Sequence, residues 1–270
     1  MPERMWSMER NWNAEDYARN SECQLKLGEE LIGKLFIKGG EFVLDIGCGD
    51  GKISAKLSKI LKKGEVVGID ASENMINLAS KEFPNDKFQN LTFYRMDAGE
   101  INFSKKFDIA FSNACLHWIK DHGGVLRKVH ACLKPKSRIL FQMGGRGNVD
   151  EVLNAVKLVI NKPDWSKYFD NFVTPHYFYD IKDYEIWLSE NNFKPLRLEL
   201  TTKNIKHAGE ESFKGWLRTT WFPFTDCLPE TLRETFLDEV SESYKIDHPT
   251  DESGNINVKM VRLEVEAYAV

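Results

Sequence analysis

Val43-Leu44-Asp45-Ile46-Gly47-Cys48-Gly49-Asp50-Gly51 is the stretch from which the fold of this 270-residue chain can be predicted. The apolar run from Phe42 to Ile46 is typical of a short strand that is buried in a parallel sheet. Glycines follow at alternate positions, and residues 52–58 then show the apolar spacing of a helix. A strand, a glycine-rich turn and a helix in this order let a nucleotide-like ligand lie against the main chain.

The positions of the glycines distinguish between possible ligands. A dinucleotide-binding turn reads G-x-G-x-x-G and holds a pyrophosphate at the helix N-terminus. Here the third glycine comes one residue early, Lys52 takes its place, and Asp45 and Asp50 add two carboxylates. Two carboxylates repel a pyrophosphate but suit a ligand that carries an ammonium group. The spacing D-x-G-x-G-x-G resembles motif I of class I S-adenosylmethionine (SAM) methyltransferases, which makes SAM the expected cofactor and S-adenosylhomocysteine the expected product.

Composition narrows the class of protein further. The net charge of −4 and the isoelectric point near 5.9 provide no basic surface for nucleic acid. The five cysteines are scattered and include no C-x-x-C, which favours reduced thiols in a cytoplasmic protein and argues against a structural zinc. No apolar run is long enough to cross a membrane. We therefore expect a cytoplasmic protein with no metal, no membrane partner and no nucleic-acid partner, either a monomer or a weak homodimer.

The pattern of elements predicts one α/β domain over residues 1–270. We expect a Rossmann-like, seven-stranded and mostly parallel sheet with its last strand antiparallel, helices on both faces and a helical cap. The strands are predicted at 42–46, 64–70, 91–98, 107–113, 138–143, 196–202 and 257–270. The parts are an N-terminal lid at 1–40 with a helical segment at 12–37, a SAM-binding core at 41–144, and the remaining strands at 145–270, with cap insertions near 145–180 and 203–255.

Polar side chains follow successive predicted strands at their carboxyl ends, where open parallel sheets bind ligands. Asp70 ends the second strand nineteen residues after Gly51, the position at which a carboxylate accepts both ribose hydroxyls of an adenosine. Asp97 follows the third strand and is placed to accept the exocyclic amine of adenine, while Met75 lies where the adenine would pack. The predicted cofactor site comprises Asp45, Gly47, Gly49, Asp70, Ala71, Met75, Asp97, Ala98 and Asn113.

A closer family resemblance covers the whole chain. Residues 113–122, which read N-A-C-L-H-W-I-K-D-H, are similar to a segment shared by trans-aconitate methyltransferases and juvenile hormone acid methyltransferases, which methylate carboxylates. Residues 17–24 resemble the N-terminal Y-x-x-x-S-x-x-Q stretch of these families. Gln142-Met143 resembles the Q-M that closes the fifth strand in the trans-aconitate group, although glycine replaces the proline that follows. The resemblance implies a small organic acid as acceptor, contacted by Gln24 and Trp118.

The chemistry of a carboxylate acceptor is consistent with these residue types. A carboxylic acid is already ionised at neutral pH, so its methylation needs no general base. The indole N–H of Trp118 and the amide of Gln24 are neutral donors that orient a carboxylate. Arg146 or Arg218 can hold a second carboxylate through two hydrogen bonds. With His117 as a further positioning residue, the predicted acceptor site comprises Tyr17, Gln24, His117, Trp118, Gln142, Arg146 and Tyr177.

His117 separates this interpretation from the main alternative. As a general base it would suit a phenol or an amine as acceptor. A SAM-binding protein without catalysis and an NAD-dependent reductase are two further alternatives, and the glycine spacing disfavours the reductase. Methylation of nucleic-acid bases is disfavoured because residues 112–115 read S-N-A-C and lack the Pro-Pro-aromatic sequence of amino-methylating enzymes.

Overall fold

Seven strands form a single mixed sheet in the computed structural model, which describes residues 12–104 and 106–270. The strands are β1 (Phe42–Ile46), β2 (Glu65–Asp70), β3 (Leu91–Arg95), β4 (Phe107–Asn113), β5 (Leu133–Gly144), β6 (Phe193–His207) and β7 (Ile256–Ala269). Their order across the sheet is β3-β2-β1-β4-β5-β7-β6. Strands β1 to β5 pair in parallel, whereas β7 runs antiparallel to both of its neighbours. The predicted sheet, mostly parallel with its last strand antiparallel, is confirmed.

Helices pack against both faces of this sheet. Successive residues of a strand point to opposite sides, so a strand of apolar residues supplies apolar side chains to both faces. In β1, Val43 joins an apolar cluster with Leu57, while Leu44 joins a second cluster with Leu126. Among the described residues, no helix is both long and apolar enough to cross a membrane. The helices are α1 (Ala14–Asn20), α2 (Glu22–Ile32), α3 (Lys52–Ile60), α4 (Glu73–Glu82), α5 (His122–Cys132), α6 (Asp150–Ile160), α7 (Pro163–Ser166), α8 (Ile181–Glu190), α9 (Gly209–Thr220), α10 (Phe222–Thr225) and α11 (Glu230–Asp247).

A third apolar cluster lies on the N-terminal half of β7. It combines Val152 of α6, Phe213 of α9 and Phe236 of α11 with Ile256 and Val258 of the strand. We call the part of the chain that builds this cluster the cap. Its core is separate from the two clusters that cover the faces of the sheet, so the cap forms a layer beside the ligand-binding edge.

The predicted N-terminal helix differs from the structure in one respect. The helical segment expected at 12–37 is two helices, α1 and α2, which meet at Ser21. Ser21 is buried, and its hydroxyl lies 3.3 Å from Asp50 Oδ2 and accepts a hydrogen bond from Lys52 Nζ at 3.2 Å. Contacts with the glycine turn therefore interrupt the helix, and helical periodicity does not register such long-range contacts. Residues 1–11 of the predicted lid lie outside the described residues.

Several strand and loop boundaries also differ from the prediction. β3 ends at Arg95, so Asp97 lies beyond the strand. There its Oδ1 accepts a hydrogen bond from Gly99 N and caps a short 3-10 helix. β5 begins at Leu133, where it pairs with Phe107 of β4, and the preceding helix is correspondingly shorter. β6 is much longer than predicted because it pairs with β7 along the whole strand, out to the cap. Two stretches of the sequence that are rich in aromatic residues, 163–179 and 216–225, contain the one-turn helices α7 and α10.

Positive backbone φ angles make the glycine turn sensitive to substitution. Gly51 has φ +80°, and a Cβ atom there would lie 2.8 Å from Phe93 Cζ and 2.9 Å from Ala79 Cβ. Gly254 has φ +75°, but a Cβ atom there would meet nothing within 4 Å. Both sites carry the conformational cost of a left-handed residue, and only Gly51 carries a steric cost in addition.

We therefore expect Gly51→Ala to lower the free energy of unfolding more than Gly254→Ala does. The left-handed conformation costs an alanine about 1–2 kcal/mol at either position. Crowding against β3 and α4 adds about 1–3 kcal/mol at Gly51 alone. Urea unfolding of the two variants measures this difference. Equal losses would show that the turn yields to the added methyl group.

Candidate active site

The glycine turn is attached to the end of β2 by three successive N–H groups. Gly47 N and Cys48 N both donate to Ile69 O, at 2.8 and 2.9 Å, and Gly49 N donates to Asp70 Oδ2 at 3.0 Å. The other oxygen of Asp70 accepts from Ser72 N at 2.8 Å, which joins the carboxylate to the start of α4. A carboxylate offers about four acceptor positions, so these two bonds leave capacity for hydroxyl groups of a ligand.

A cavity of about 290 Å³ opens above this turn, at the carboxyl ends of the parallel strands. Ile46, Ile69, Met96 and Ile119 supply apolar surface that the sequence did not single out. Ser72, the N-cap of α4, also lines it, and its hydroxyl accepts a hydrogen bond from Met75 N. Eight of the nine residues predicted for the cofactor line this cavity: Gly47, Gly49, Asp70, Ala71, Met75, Asp97, Ala98 and Asn113.

This lining fits SAM chemically. Carboxylates at Asp70 and Asp97 provide acceptors for ribose hydroxyls and for an amine. Met75 and Ile119 provide apolar surface for a flat ring, and a Cβ atom on Gly49 would find its nearest neighbour only at 3.9 Å. The backbone at Gly49 is therefore open to a ligand. We call this space the cofactor cavity.

Asp45 is the one predicted cofactor residue that does not line the cofactor cavity. It is buried in β1, where its Oδ2 accepts the Ser54 hydroxyl at 2.5 Å, and it borders a smaller cavity beside Tyr17. Burial raises the pKa of Asp45 to about 7, against the lowering effect of the Ser54 hydrogen bond and with a further rise from Asp70. The position of Asp45 behind the turn makes it a support for α3 through Ser54.

A second cavity, of about 70 Å³, adjoins the first and shares residues of its wall. Tyr17, Ala114 and Trp118 line both spaces. Gln24 of α2 and His117 line the second cavity only. Four residues predicted for the acceptor thus come together here from two distant parts of the sequence, and we call this space the acceptor cavity.

Trp118 is held in a cluster of rings at the border of the two cavities. Its indole packs edge-on against Trp12 at 5.5 Å, lies 4.3 Å from the His176 ring and stacks on Phe222 at 5.9 Å. Ala114, just before this segment, adopts φ +55° and donates its N–H to Gln142 O at 2.8 Å. A left-handed alanine is strained, and strain of this kind persists where the surrounding structure fixes it. The chain is thereby turned sharply into the acceptor cavity after β4.

His122 supports the same segment from behind. It is buried, with Nε2 2.8 Å from Leu116 O and Nδ1 2.8 Å from the Tyr184 hydroxyl. Burial lowers the pKa of His122 to about 4, so the ring is neutral at physiological pH. A neutral ring has one donor, and a carbonyl only accepts, so Nε2–H donates to Leu116 O and the Tyr184 O–H donates to Nδ1. Leu116 directly precedes His117 and Trp118, so this network positions both.

The N-terminal helices cross the carboxyl edge of the sheet and are bound to it by polar contacts. Lys52 Nζ, at the position where a dinucleotide site has glycine, donates to Ala18 O at 2.7 Å. Asn113 Nδ2, at the end of β4, donates to Gln24 O at 2.9 Å. Asn113 therefore binds α2 as well as lining the cofactor cavity. These contacts bring Gln24 beside Trp118.

Two residues predicted for the acceptor lie away from it because of ion pairs and hydrogen bonds. The side chain of Gln142 is buried between β5 and β7, where Nε2 donates to Glu264 Oε1 at 3.0 Å. Arg146 is 65% exposed, and its Nε lies 2.7 Å from Asp180 Oδ2. Neither residue lines either cavity.

Tyr177 and Arg218 are likewise not part of the cavity walls. Tyr177 contributes its backbone, whose N–H donates to His117 O at 2.8 Å, and its ring stacks on Tyr179. Arg218 of α9 donates from Nε to Asp16 Oδ2 at 2.8 Å and so joins the cap to α1. Both residues therefore hold the surroundings of the site in place.

Arg262 is the acceptor-cavity residue that sequence reasoning missed. It lies on β7, is 4% exposed and lines the acceptor cavity. The sequence nonetheless contains a pattern that predicts its inward-facing side chain. Ile256, Val258 and Met260 precede it at alternate positions, and alternate residues of a strand share a face. An arginine in phase with three apolar residues points toward the core.

We expect Asp70→Ala to weaken SAM binding by about 1–3 kcal/mol, because two ribose hydroxyls lose their buried acceptor. Calorimetric titration with SAM measures the effect. Glu73→Ala is the matched control, since Glu73 is an exposed carboxylate three residues away that pairs with Arg95 and does not line the cavity. Unchanged affinity in Asp70→Ala would refute the role of Asp70.

Comparison with known proteins agrees with this geometry. The family described as "Methyltransferase domain" matches residues 37–175. An uncharacterised methyltransferase of Schizosaccharomyces pombe is 33% identical over 239 residues, which cover 83% of this chain and 86% of that protein. A trans-aconitate 2-methyltransferase of Escherichia coli O157:H7 is 24% identical over 263 residues, covering 95% of this chain and 98% of that one.

The fold is also that of solved structures. The YcgJ protein of Bacillus subtilis superimposes with a TM-score of 0.62 at 19% sequence identity, over 91% of this chain and 98% of the other. The sheet order, the glycine turn bound to the end of β2 and the cofactor cavity at the strand ends agree with the family match over residues 37–175. The chain therefore belongs to the class I SAM-dependent methyltransferases.

Proposed function

We propose that this enzyme transfers the methyl group of SAM to a carboxylate oxygen of a small organic acid. When bound, SAM supplies an electrophilic methyl group on a sulfonium. The acceptor cavity adjoins the cofactor cavity, and Trp118 stands at their common wall. The similarity to trans-aconitate 2-methyltransferase, a protein whose name states an organic acid as its substrate, supports a carboxylate acceptor.

The observation that carries this proposal concerns His117. Its Nδ1 accepts a hydrogen bond from Gly144 N at 3.3 Å. That bond occupies the lone pair of Nδ1, so the neutral ring carries its proton on Nε2. With Nδ1 occupied and the proton on Nε2, the ring has no lone pair with which to act as a base. Phenols and amines must lose a proton during methylation, whereas a carboxylate has none to lose.

The same arrangement explains how the enzyme accelerates transfer without a base. Surrounding rings fix Trp118, and the bond from Gly144 N fixes His117, so both side chains hold a constant position in the wall of the acceptor cavity. Alignment of two reactants alone can contribute about 7–11 kcal/mol to lowering the barrier. Gln24 lines the same cavity. Its Oε1 is buried and has no partner among the described residues, and turning the amide by 180° places its N–H donors at that position. The amide is therefore available to a ligand.

The segment that carries Gln24 acts in this proposal as a lid. Helices α1 and α2 separate the acceptor cavity from solvent on one side, and a lid must open for the product to leave. Polar contacts attach α1 and the first turn of α2: Lys52 donates to Ala18 O, Asn113 to Gln24 O and Arg218 to Asp16. Leu27 and Leu31, further along α2, are buried, so the part that opens is the one before them. Polar contacts at a surface are individually weak, which is what a segment that opens in each turnover requires.

We expect His117→Ala to retain most of kcat with an acid as acceptor, because no proton is removed in the reaction. The pH profile of kcat between 6 and 8 should match that of the wild-type enzyme. His248→Ala, a histidine that lines neither cavity, is the control for unspecific effects. A decrease of about 10²–10⁴ in kcat, the loss typical of a missing general base, would support a phenol or amine acceptor instead.

A further inference from the structure

The guanidinium of Arg262 is buried in the wall of the acceptor cavity without a hydrogen-bonding partner at two of its nitrogens. The residue is 4% exposed and lines the cavity on the side of β7. Its Nε and Nη2 have no partner within the described part of the chain. A buried unpaired charge costs several kcal/mol, so such groups are normally paired. A buried guanidinium with two unpartnered nitrogens is suited to bind an anion from a ligand.

Two of the three ionisable groups that act on Arg262, Cys23 and Tyr17, are neutral and cannot balance its charge. Burial raises the pKa of the Cys23 thiol to about 11, and the attraction of Arg262 opposes this rise only in part. Burial, with a further contribution from Asp50 and Asp70, raises the pKa of the Tyr17 hydroxyl above its usual value. Both groups are therefore protonated at neutral pH.

Glu264, two residues further along the same face of β7, is already hydrogen-bonded to other residues. Its carboxylate accepts from Lys34 Nζ at 2.5 Å, from Arg197 Nη1 at 2.5 Å and from Gln142 Nε2 at 3.0 Å. Two cations and an amide thus satisfy this carboxylate. Glu264 attracts Arg262 through space, but no carboxylate of the described residues lies within ion-pairing distance of Arg262.

Arg262 nonetheless carries its charge at neutral pH. Burial lowers its pKa to about 10, still three units above neutrality. The backbone beside it is fixed, because Val261 N donates to Asn148 Oδ1 at 3.1 Å and Asn148 lines the same cavity. The cavity wall therefore presents a permanent cation at a fixed place.

We infer that Arg262 forms an anion subsite that binds a second carboxylate of the acceptor, so that the acceptor is a compact acid with at least two carboxylates. This inference rests on the proposed function. The carboxylate at Arg262 is the one that is not methylated. Arg262 does not line the cofactor cavity, whereas Trp118 and Tyr17 line both. If Arg262 paired with the reacting carboxylate instead, it would stabilise the negative charge that this carboxylate must give up on methylation, and transfer would be slower.

The test compares acids of the same carbon skeleton with and without a second carboxylate: succinate against butyrate, and glutarate against pentanoate. Methyl transfer is measured as kcat/KM, and binding is measured by calorimetry with S-adenosylhomocysteine present. The variants are Arg262→Met and Arg262→Lys. The control is Arg146→Met, because Arg146 is an exposed arginine paired with Asp180. Replacing a buried unpaired charge by an apolar side chain of similar volume does not weaken folding, so Arg262→Met remains folded.

We expect the wild-type enzyme to bind and methylate the diacids better than the monoacids. Arg262→Met should lose about 10- to 100-fold in affinity for the diacids, the effect of removing a charged hydrogen-bond donor, and little for the monoacids. Arg262→Lys should recover part of the loss, and Arg146→Met should behave as wild type. The affinity for SAM and the thermal midpoint should not fall in Arg262→Met.

Four results would overturn the inference. Equal losses for diacids and monoacids would show no separate subsite. A loss of SAM affinity would assign Arg262 to the carboxylate of the cofactor, and a lower thermal midpoint without a change in selectivity would make it structural. If the enzyme binds diacids through Arg262 but transfers no methyl group to any acid, the anion subsite stands and the proposed function fails. If no diacid binds, the anion subsite fails.

Discussion

Three N–H groups in succession, those of Gly47, Cys48 and Gly49, donate to the last residues of β2. Because the acceptors are Ile69 O and the Asp70 carboxylate, the chain must turn back at once after β1, and glycines adopt the positive φ angles that this needs without steric cost. The turn leaves main chain exposed at the sheet edge and points a carboxylate into the space above it. Every other part of the site is arranged around that space.

The two cavities differ in the charge of their walls. Asp70 and Asp97 line the cofactor cavity, whereas Arg262 lines the acceptor cavity, with neutral aromatic rings between them. The proposed reaction joins a cationic methyl donor to an anionic acceptor and removes one charge from each. Products that have lost charge interact less strongly with walls of opposite charge, which favours their release once the lid opens.

The parts that were predictable from sequence are those determined by neighbours along the chain. The glycine turn and Asp70 follow from spacing over about thirty residues, and most of the predicted cofactor residues line the cofactor cavity. The break at Ser21 depends on a turn that is distant in sequence, and helical periodicity contains no trace of it. Arg146, which the sequence analysis selected, is paired at the surface. Arg262, which is buried, was identifiable only from the alternation of inward-facing and outward-facing side chains along β7.

The central claim is that the acceptor atom is a carboxylate oxygen, and the chemical stability of the product tests it most directly. The enzyme is incubated with SAM that carries a deuterated methyl group and with a panel of small organic acids, phenols and amines. Mass spectrometry then follows the label through mild alkaline hydrolysis. The account predicts a labelled product formed from an acid and complete release of the label as methanol, as a methyl ester requires. A label that survives hydrolysis, on a phenol oxygen, a nitrogen or a carbon, would contradict it.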